Sequence, residues 1–320
     1  MSFRWLTCGC LLLVLGVWGC AGGSGRDATP ADAVDLGNTP DRDAGDVNGP
    51  RCVLANIAPH AILNIGDADG PLSLADPCVI RADGAWYLYA TDAAPGQHVY
   101  RTVDLLSWED RGQVWSPTPG LWNEGANPWA PHVMAGDGGY YMYYTAHEMI
   151  GIAWSESPEG PFDELLEHPF VGAGYGGVGD GGVEWGETET PGGGFEEKSI
   201  DAFVLEASDG SLTLYATQYV PFSSIIAIPM TDLRTLVPEG LTVLITPDIN
   251  SWEQTVTEAP WVNEVNGQIV LTYSGSGADR PLYSLGAAVA DSPLGPFERT
   301  PESPFLFPDL DNGFYGPGHH

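Results

Sequence analysis

The stretch DPCVIRADGAWYLYAT, residues 76–91, runs from a carboxylate through a short apolar segment to an Asp-Gly pair, and out again through aromatic residues. Asp and Gly both tolerate positive φ, so Asp83-Gly84 signals a tight hairpin between two strands. The pattern recurs in APHVMAGDGGYYMYYT (130–145), DAFVLEASDGSLTLYAT (201–217) and EAPWVNEVNGQIVLTYS (258–274), with turns at Asp137-Gly138, Asp209-Gly210 and Asn266-Gly267. Measured from Asp76, Ala130, Asp201 and Glu258, the turns lie 7, 7, 8 and 8 residues on, and the units begin 54, 71 and 57 residues apart. A further strand follows in each, and two units close alike, on SPEGPF (157–162) and SPLGPF (292–297). These intervals accommodate a four-stranded blade, so the chain reads as an all-β protein with β-propeller architecture.

In a propeller each innermost strand runs along a central channel, and equivalent positions converge on its axis. Asp76, Ala130, Asp201 and Glu258 are therefore expected at the same end of their strands, which puts three carboxylates on one rim. A carboxylate leading into a buried strand is costly unless it is paired or used. One Asp-Pro alone reads as a turn; three acidic residues at one repeat position point to a site.

Composition agrees with a large folded body. The 320 residues are 43% hydrophobic and 17% charged, enough to bury a substantial core, and 42 Gly with 27 Pro suit many turns between short strands. A net charge of -32, from 43 acidic against 11 basic residues, argues against a nucleic-acid partner.

The first 50 residues read differently. Arg4 precedes LLLVLGVWGC (11–20), a run too short to span a membrane, so residues 1–20 are expected to be an export signal. VWGCAGG (17–23) resembles a bacterial lipobox, apart from the bulky Trp18, and in that reading Cys20 is lipidated and becomes the new N-terminus. Residues 21–50, rich in Asp, Gly, Pro and Ala, then form a flexible tether, and 51–320 the propeller. Membrane contact is expected through the lipid anchor alone. Cys52 and Cys78, the two cysteines beyond the tether, could pair in an oxidising compartment.

The motifs ADP (75–77), WAPHV (129–133), SIDAF (199–203), TEAP (257–260) and GPGH (316–319), in that order, resemble glycoside hydrolase family 43. The resemblance covers nearly all of the chain after the tether. It implies a five-bladed propeller and an inverting mechanism, with Asp76 as general base, Glu258 as general acid and Asp201 orienting substrate and tuning the acid. It also implies an arabinose- or xylose-containing plant glycan as substrate, with α-L-arabinofuranosidase the preferred activity and β-xylosidase or arabinanase as neighbours. No cofactor is implied for the chemistry; His319 matches a position associated, through water, with a central cation such as Ca2+. Two departures are Ala202, where the family usually has proline, and Ala75, where some arabinanases have histidine.

Inversion needs one carboxylate to activate water on one face of the sugar and a protonated carboxyl to assist the leaving oxygen on the other, about 6.5–9.5 Å apart. An apolar setting and the charge of Asp201 would both keep Glu258 protonated. Trp129, beside an anchor, is a candidate to stack on a sugar and equally a core residue. Glu184, Glu187 and Glu189, in the insertion GAGYGGVGDGGVEWGETETPGGG (172–194), read as solvated loop charges. His319 falls where a fifth unit should begin, so the sequence reads as truncated at the start of a fifth blade, with residues 59–65 able to lend that blade one strand. The alternative function is a catalytically inactive propeller that binds carbohydrate or a surface partner.

Overall fold

A computed structural model describes residues 64–65, 74–92, 96–172, 175–176, 183–184, 198–219 and 222–319. The export signal, Cys20, the tether, Cys52 and most of the 172–194 insertion, with the side chains of Glu184, Glu187 and Glu189, lie outside the described residues.

Four sheets form four blades, as the repeat predicts. Their inner strands are Ala75–Ala82, Trp129–Gly136, Ser199–Glu206 and Thr257–Val265. Each turns back into a second strand, Ala85–Thr91, Gly139–Ala146, Leu212–Tyr219 or Gln268–Gly275, and a third continues the antiparallel meander. The inner strands pack in chain order, first on second, second on third and third on fourth.

Three of the four turns are the two-residue hairpins the sequence signals. Asp83-Gly84, Asp137-Gly138 and Asn266-Gly267 each place both residues at positive φ, between 47° and 80°. That geometry matches the twist of the flanking strands. The third unit differs: Glu206 pairs with Leu212 across a five-residue loop, and only Gly210 of Asp209-Gly210 is left-handed. The Asp209 carboxylate instead accepts the Ser211 N–H at 2.8 Å.

The core lies between blades rather than at one centre. One apolar cluster joins Tyr87 and Tyr89 of the first blade to Met142 and Tyr144 of the second. A second joins Tyr143 and Ile152 to Val204 and Leu214, and a third joins Phe203 and Tyr215 to Leu271 and Tyr273. Strands buried on both faces lose the hydrophobic-polar alternation of a one-sided sheet, and Ser199–Glu206 is buried at every position but its last. The two SPxGPF segments explain themselves here. Phe162 is buried in the first cluster, its N–H bonded to the Val114 carbonyl of the preceding blade at 2.7 Å, while Phe297 packs against the third.

One expectation is corrected. Residues 64–65, expected to lend a strand to a fifth blade, pair in parallel with Ser107–Trp108 on the outer edge of the first blade. That edge strand has an unpaired side, which a parallel segment can satisfy.

Candidate active site

Every inner strand begins with a β-bulge. Register slips between Ala75 and Cys78, Trp129 and His132, Ile200 and Phe203, and Glu258 and Trp261. The bulged residue is left-handed each time: Asp76 at φ 52°, Ala130 at 44°, Asp201 at 57° and Ala259 at 56°. Bulges at strand ends re-aim side chains and recur beside functional sites, and a left-handed non-glycine residue is held there only by its surroundings.

This corrects the repeat alignment. Ala259, not Glu258, is the fourth equivalent of Asp76, and its distance to Asn266 is then the seven residues seen in the first two units. Glu258 stands one position earlier, paired with Ser274, where the other blades carry Ala75, Trp129 and Ile200. The prolines held the signal, since Pro77, Pro131 and Pro260 each follow the bulged residue.

Asp76, Asp201 and His319 line one cavity at the channel, with Phe203, Trp261 and His132 among its walls. Asp76 accepts Thr91 Oγ1 at 2.6 Å on one oxygen and stands 2.8 Å from His319 Nδ1 on the other. Asp201 is buried and accepts the Ala259 N–H at 3.2 Å and the Thr217 hydroxyl at 3.3 Å. Burial pushes its pKa up to about 6; His319 pulls against that, and Asp76 adds to it.

Glu258 is 8% exposed. Burial first, then the charge of Asp201, pushes its pKa up to about 7, with Tyr283 and His319 opposing. Near neutral pH a large share of Glu258 therefore carries a proton. For His319 burial disfavours the charged ring, but Asp76 and Asp201 outweigh it and raise the pKa to about 9, so the ring is an imidazolium at pH 7.

Among the described residues no group of three or more His, Cys, Asp or Glu side chains converges to hold a metal. The cation contact expected at His319 runs through water rather than direct ligation, and no chemical step is routed through it.

Trp129 is 42% exposed, unusual for a large aromatic side chain, and occupies in the second blade the position Glu258 occupies in the fourth. Trp122 instead packs against the first core cluster, over Tyr144 with ring centroids 6.1 Å apart. His132 was not singled out by sequence. It is buried between Phe203 and Trp261, and that burial drives its pKa down to about 3, leaving the ring neutral. Cys78 is also buried, with the Val133 N–H 3.3 Å from its sulfur.

Residues 70–320 match the family model described as glycosyl hydrolases family 43. The chain belongs to glycosyl hydrolase family 43. Similarity to individual members is moderate. The chain is 25% identical to the β-D-galactofuranosidase xynD of Aspergillus niger, over 71% of this chain and 64% of that one. It is 27% identical to a xylosidase/arabinosidase of Bacteroides ovatus, over 70% and 76% of the two chains. Against the extracellular exo-α-(1→5)-L-arabinofuranosidase of Streptomyces avermitilis, 27% identity extends over 77% of this chain but half of that protein. The chain thus spans less than two thirds of the first and third of these relatives. Among solved structures, an endo-1,4-β-xylanase of Bacteroides thetaiotaomicron superposes with a TM-score of 0.65 at 30% identity, covering 78% of this chain and 79% of the other. The family-43 assignment agrees with the all-β propeller; the described residues of this member form four blades.

Proposed function

We propose that this family-43 member is an inverting O-glycosyl hydrolase acting on an arabinose- or xylose-containing glycan, with α-L-arabinofuranosidase as the first activity to test. One observation carries the reading: Asp76 and Asp201 line one cavity, and Glu258, buried and outside that lining, bears on Asp201, so that burial first and then the Asp201 charge raise the Glu258 pKa to about 7. Glu258, protonated, gives its proton to the leaving oxygen, and the bond from that oxygen to the anomeric carbon breaks. Asp76 takes a proton from the water whose oxygen forms the new bond from the other face. Asp201 keeps Glu258 protonated by charge and orients the sugar. The His319 imidazolium pairs with the carboxylate form of Asp76. Trp129 offers an exposed ring for the sugar's apolar face.

The relatives' activities, on galactofuranosides, xylosides and arabinosides, support a furanose- or pentose-sized site. The reading also includes export with lipidation at Cys20. It includes a five-bladed ring, supported by His319 adopting φ 52° like the four bulged residues. Proton NMR of the first-formed anomer, on a panel of aryl arabinofuranosides and xylosides, tests the function. Product of inverted configuration is expected. Retained configuration overturns the mechanism, and binding without turnover makes the chain a carbohydrate-binding propeller.

A further inference from the structure

Each repeat closes on a hydroxyl: Thr91, Thr145, Thr217 and Ser274. These share one register position, paired across their hairpins with Ala75, Trp129, Ile200 and Glu258. Every one accepts a backbone N–H from the next unit. Thr91 takes that of Ala130 at 2.8 Å, Thr145 that of Asp201 at 3.1 Å, Thr217 that of Ala259 at 3.1 Å, and Ser274 that of His319 at 2.8 Å. All four donors are left-handed residues. The same latch therefore crosses the three seams between the described blades, from bulge to hydroxyl, and recurs between Ser274 and His319.

A hydroxyl that accepts an N–H still has a proton to give. In the first and third blades that proton meets the blade's own bulge carboxylate: Thr91 donates to Asp76 at 2.6 Å, and Thr217 to Asp201 at 3.3 Å. The second and fourth blades carry Ala130 and Ala259 at the bulge and offer no such acceptor. In the third blade the tie is double, because the Ala259 N–H also reaches Asp201 directly at 3.2 Å. Ala259 is the chain neighbour of Glu258, so this fork fixes Asp201 relative to the backbone that carries the acid.

We propose that Thr217 and Thr91 are positioning residues, each holding the carboxylate of its own blade against the backbone of the next, so that Asp76, Asp201 and Glu258 keep their spacing across blade seams. This rests on the roles given above to the three carboxylates. Thr145 holds the Asp201 backbone but gives no proton to a carboxylate, so it separates loss of a backbone tie from loss of the hydroxyl-to-carboxylate bond that Thr91 and Thr217 make.

The experiment compares Thr217→Val, Thr217→Ser and Thr145→Val in the full chain, with Thr91→Val and Thr91→Ser as the second pair should Thr217→Val not fold. Thr217→Val should lower kcat roughly tenfold or more, as expected for losing a hydrogen bond to a charged group, while KM stays within about twofold. The basic limb of the pH profile should move to lower pH, because Asp201 loses a bond that favours its charged form and presses less on Glu258. Thr217→Ser should restore both. Thr91→Val should show the same kcat loss, with Thr91→Ser restoring it. Thr145→Val should cost thermal stability without moving the pH profile. Equal losses from Thr217→Val and Thr145→Val with an unmoved profile would overturn the proposal. Should wild type hydrolyse nothing in the panel, the functional reading fails by itself, and carboxylate NMR then decides for the clamp. An Asp201 titration shifted upward in Thr217→Val supports it; an unchanged one refutes it.

Discussion

Glu258 and Ala259 divide between them what a single residue does in the first and third blades. Ala259 takes the left-handed bulge position that Asp76 and Asp201 hold, and Glu258 stands one residue ahead, paired with Ser274. The bulge at Ala259 breaks the strict alternation of the strand, so Glu258, one residue ahead of it, still bears on the charges of Asp201, His319 and Asp76. Of the three, Glu258 carries the pKa of about 7.

The pH profile follows from that value. The basic limb of kcat/KM should fall as pH rises through about 7, where Glu258 loses its proton. Asp201→Asn removes a neighbouring negative charge that raises this value, so the limb should move to lower pH. Profiles of wild type and variant with coincident basic limbs would show that another group titrates.

Stability should carry the same signature. A folded-state pKa of about 7 exceeds the ordinary glutamate value of 4.5, so folding gains from the proton on Glu258 below pH 4.5 and loses that gain as pH rises through about 7. The lost term is roughly 3 kcal/mol at most. Glu258→Gln should therefore raise the thermal midpoint at pH 8 and leave it nearly unchanged at pH 4. A variant that melts lower than wild type at both pH values would contradict the buried-acid account.

Much of this was legible in the chain. The Asp83-Gly84, Asp137-Gly138 and Asn266-Gly267 pairs mark their hairpins correctly because positive φ at both positions is a local property of those residues. Asp209-Gly210 misleads, since a longer loop can use the same two residues with only the glycine left-handed. The bulges were hidden. They insert a residue without changing composition, and charge pairs Glu258 with Asp76 where the prolines pair Ala259 with it. His132 and the hydroxyl latches depend on contacts between units that the sequence keeps more than 35 residues apart, so no local pattern reports them.

An ion pair away from the site, between buried Glu253 and exposed Arg299, tests the outer packing of the fourth blade. Glu253 has no exposed side-chain surface, and Arg299 engages both its oxygens, at 2.6 and 2.8 Å, with the Tyr273 hydroxyl 2.5 Å from one of them. Arg299→Met leaves a buried carboxylate without its cation and should cost about 3 kcal/mol, read by urea denaturation. A loss below about 1 kcal/mol would mean that solvent reaches Glu253.

Location is tested by fractionation. In a Gram-negative host the full chain should sediment with membranes, and Cys20→Ser should release it or leave it unprocessed. Wild-type protein wholly soluble in the periplasm would rule out the lipid anchor.

The most direct measurement sets Glu258→Ala against Asp76→Ala on two kinds of substrate. Natural oligosaccharides leave as alkoxides that need a proton, whereas aryl glycosides with acidic phenols do not. Glu258→Ala should lower turnover of the former by about 10²–10⁴-fold and of the latter far less, while Asp76→Ala, which removes water activation, should lower both alike. Equal losses from the two variants on every substrate, or full activity of Glu258→Ala on natural oligosaccharides, would contradict the assignment of acid and base.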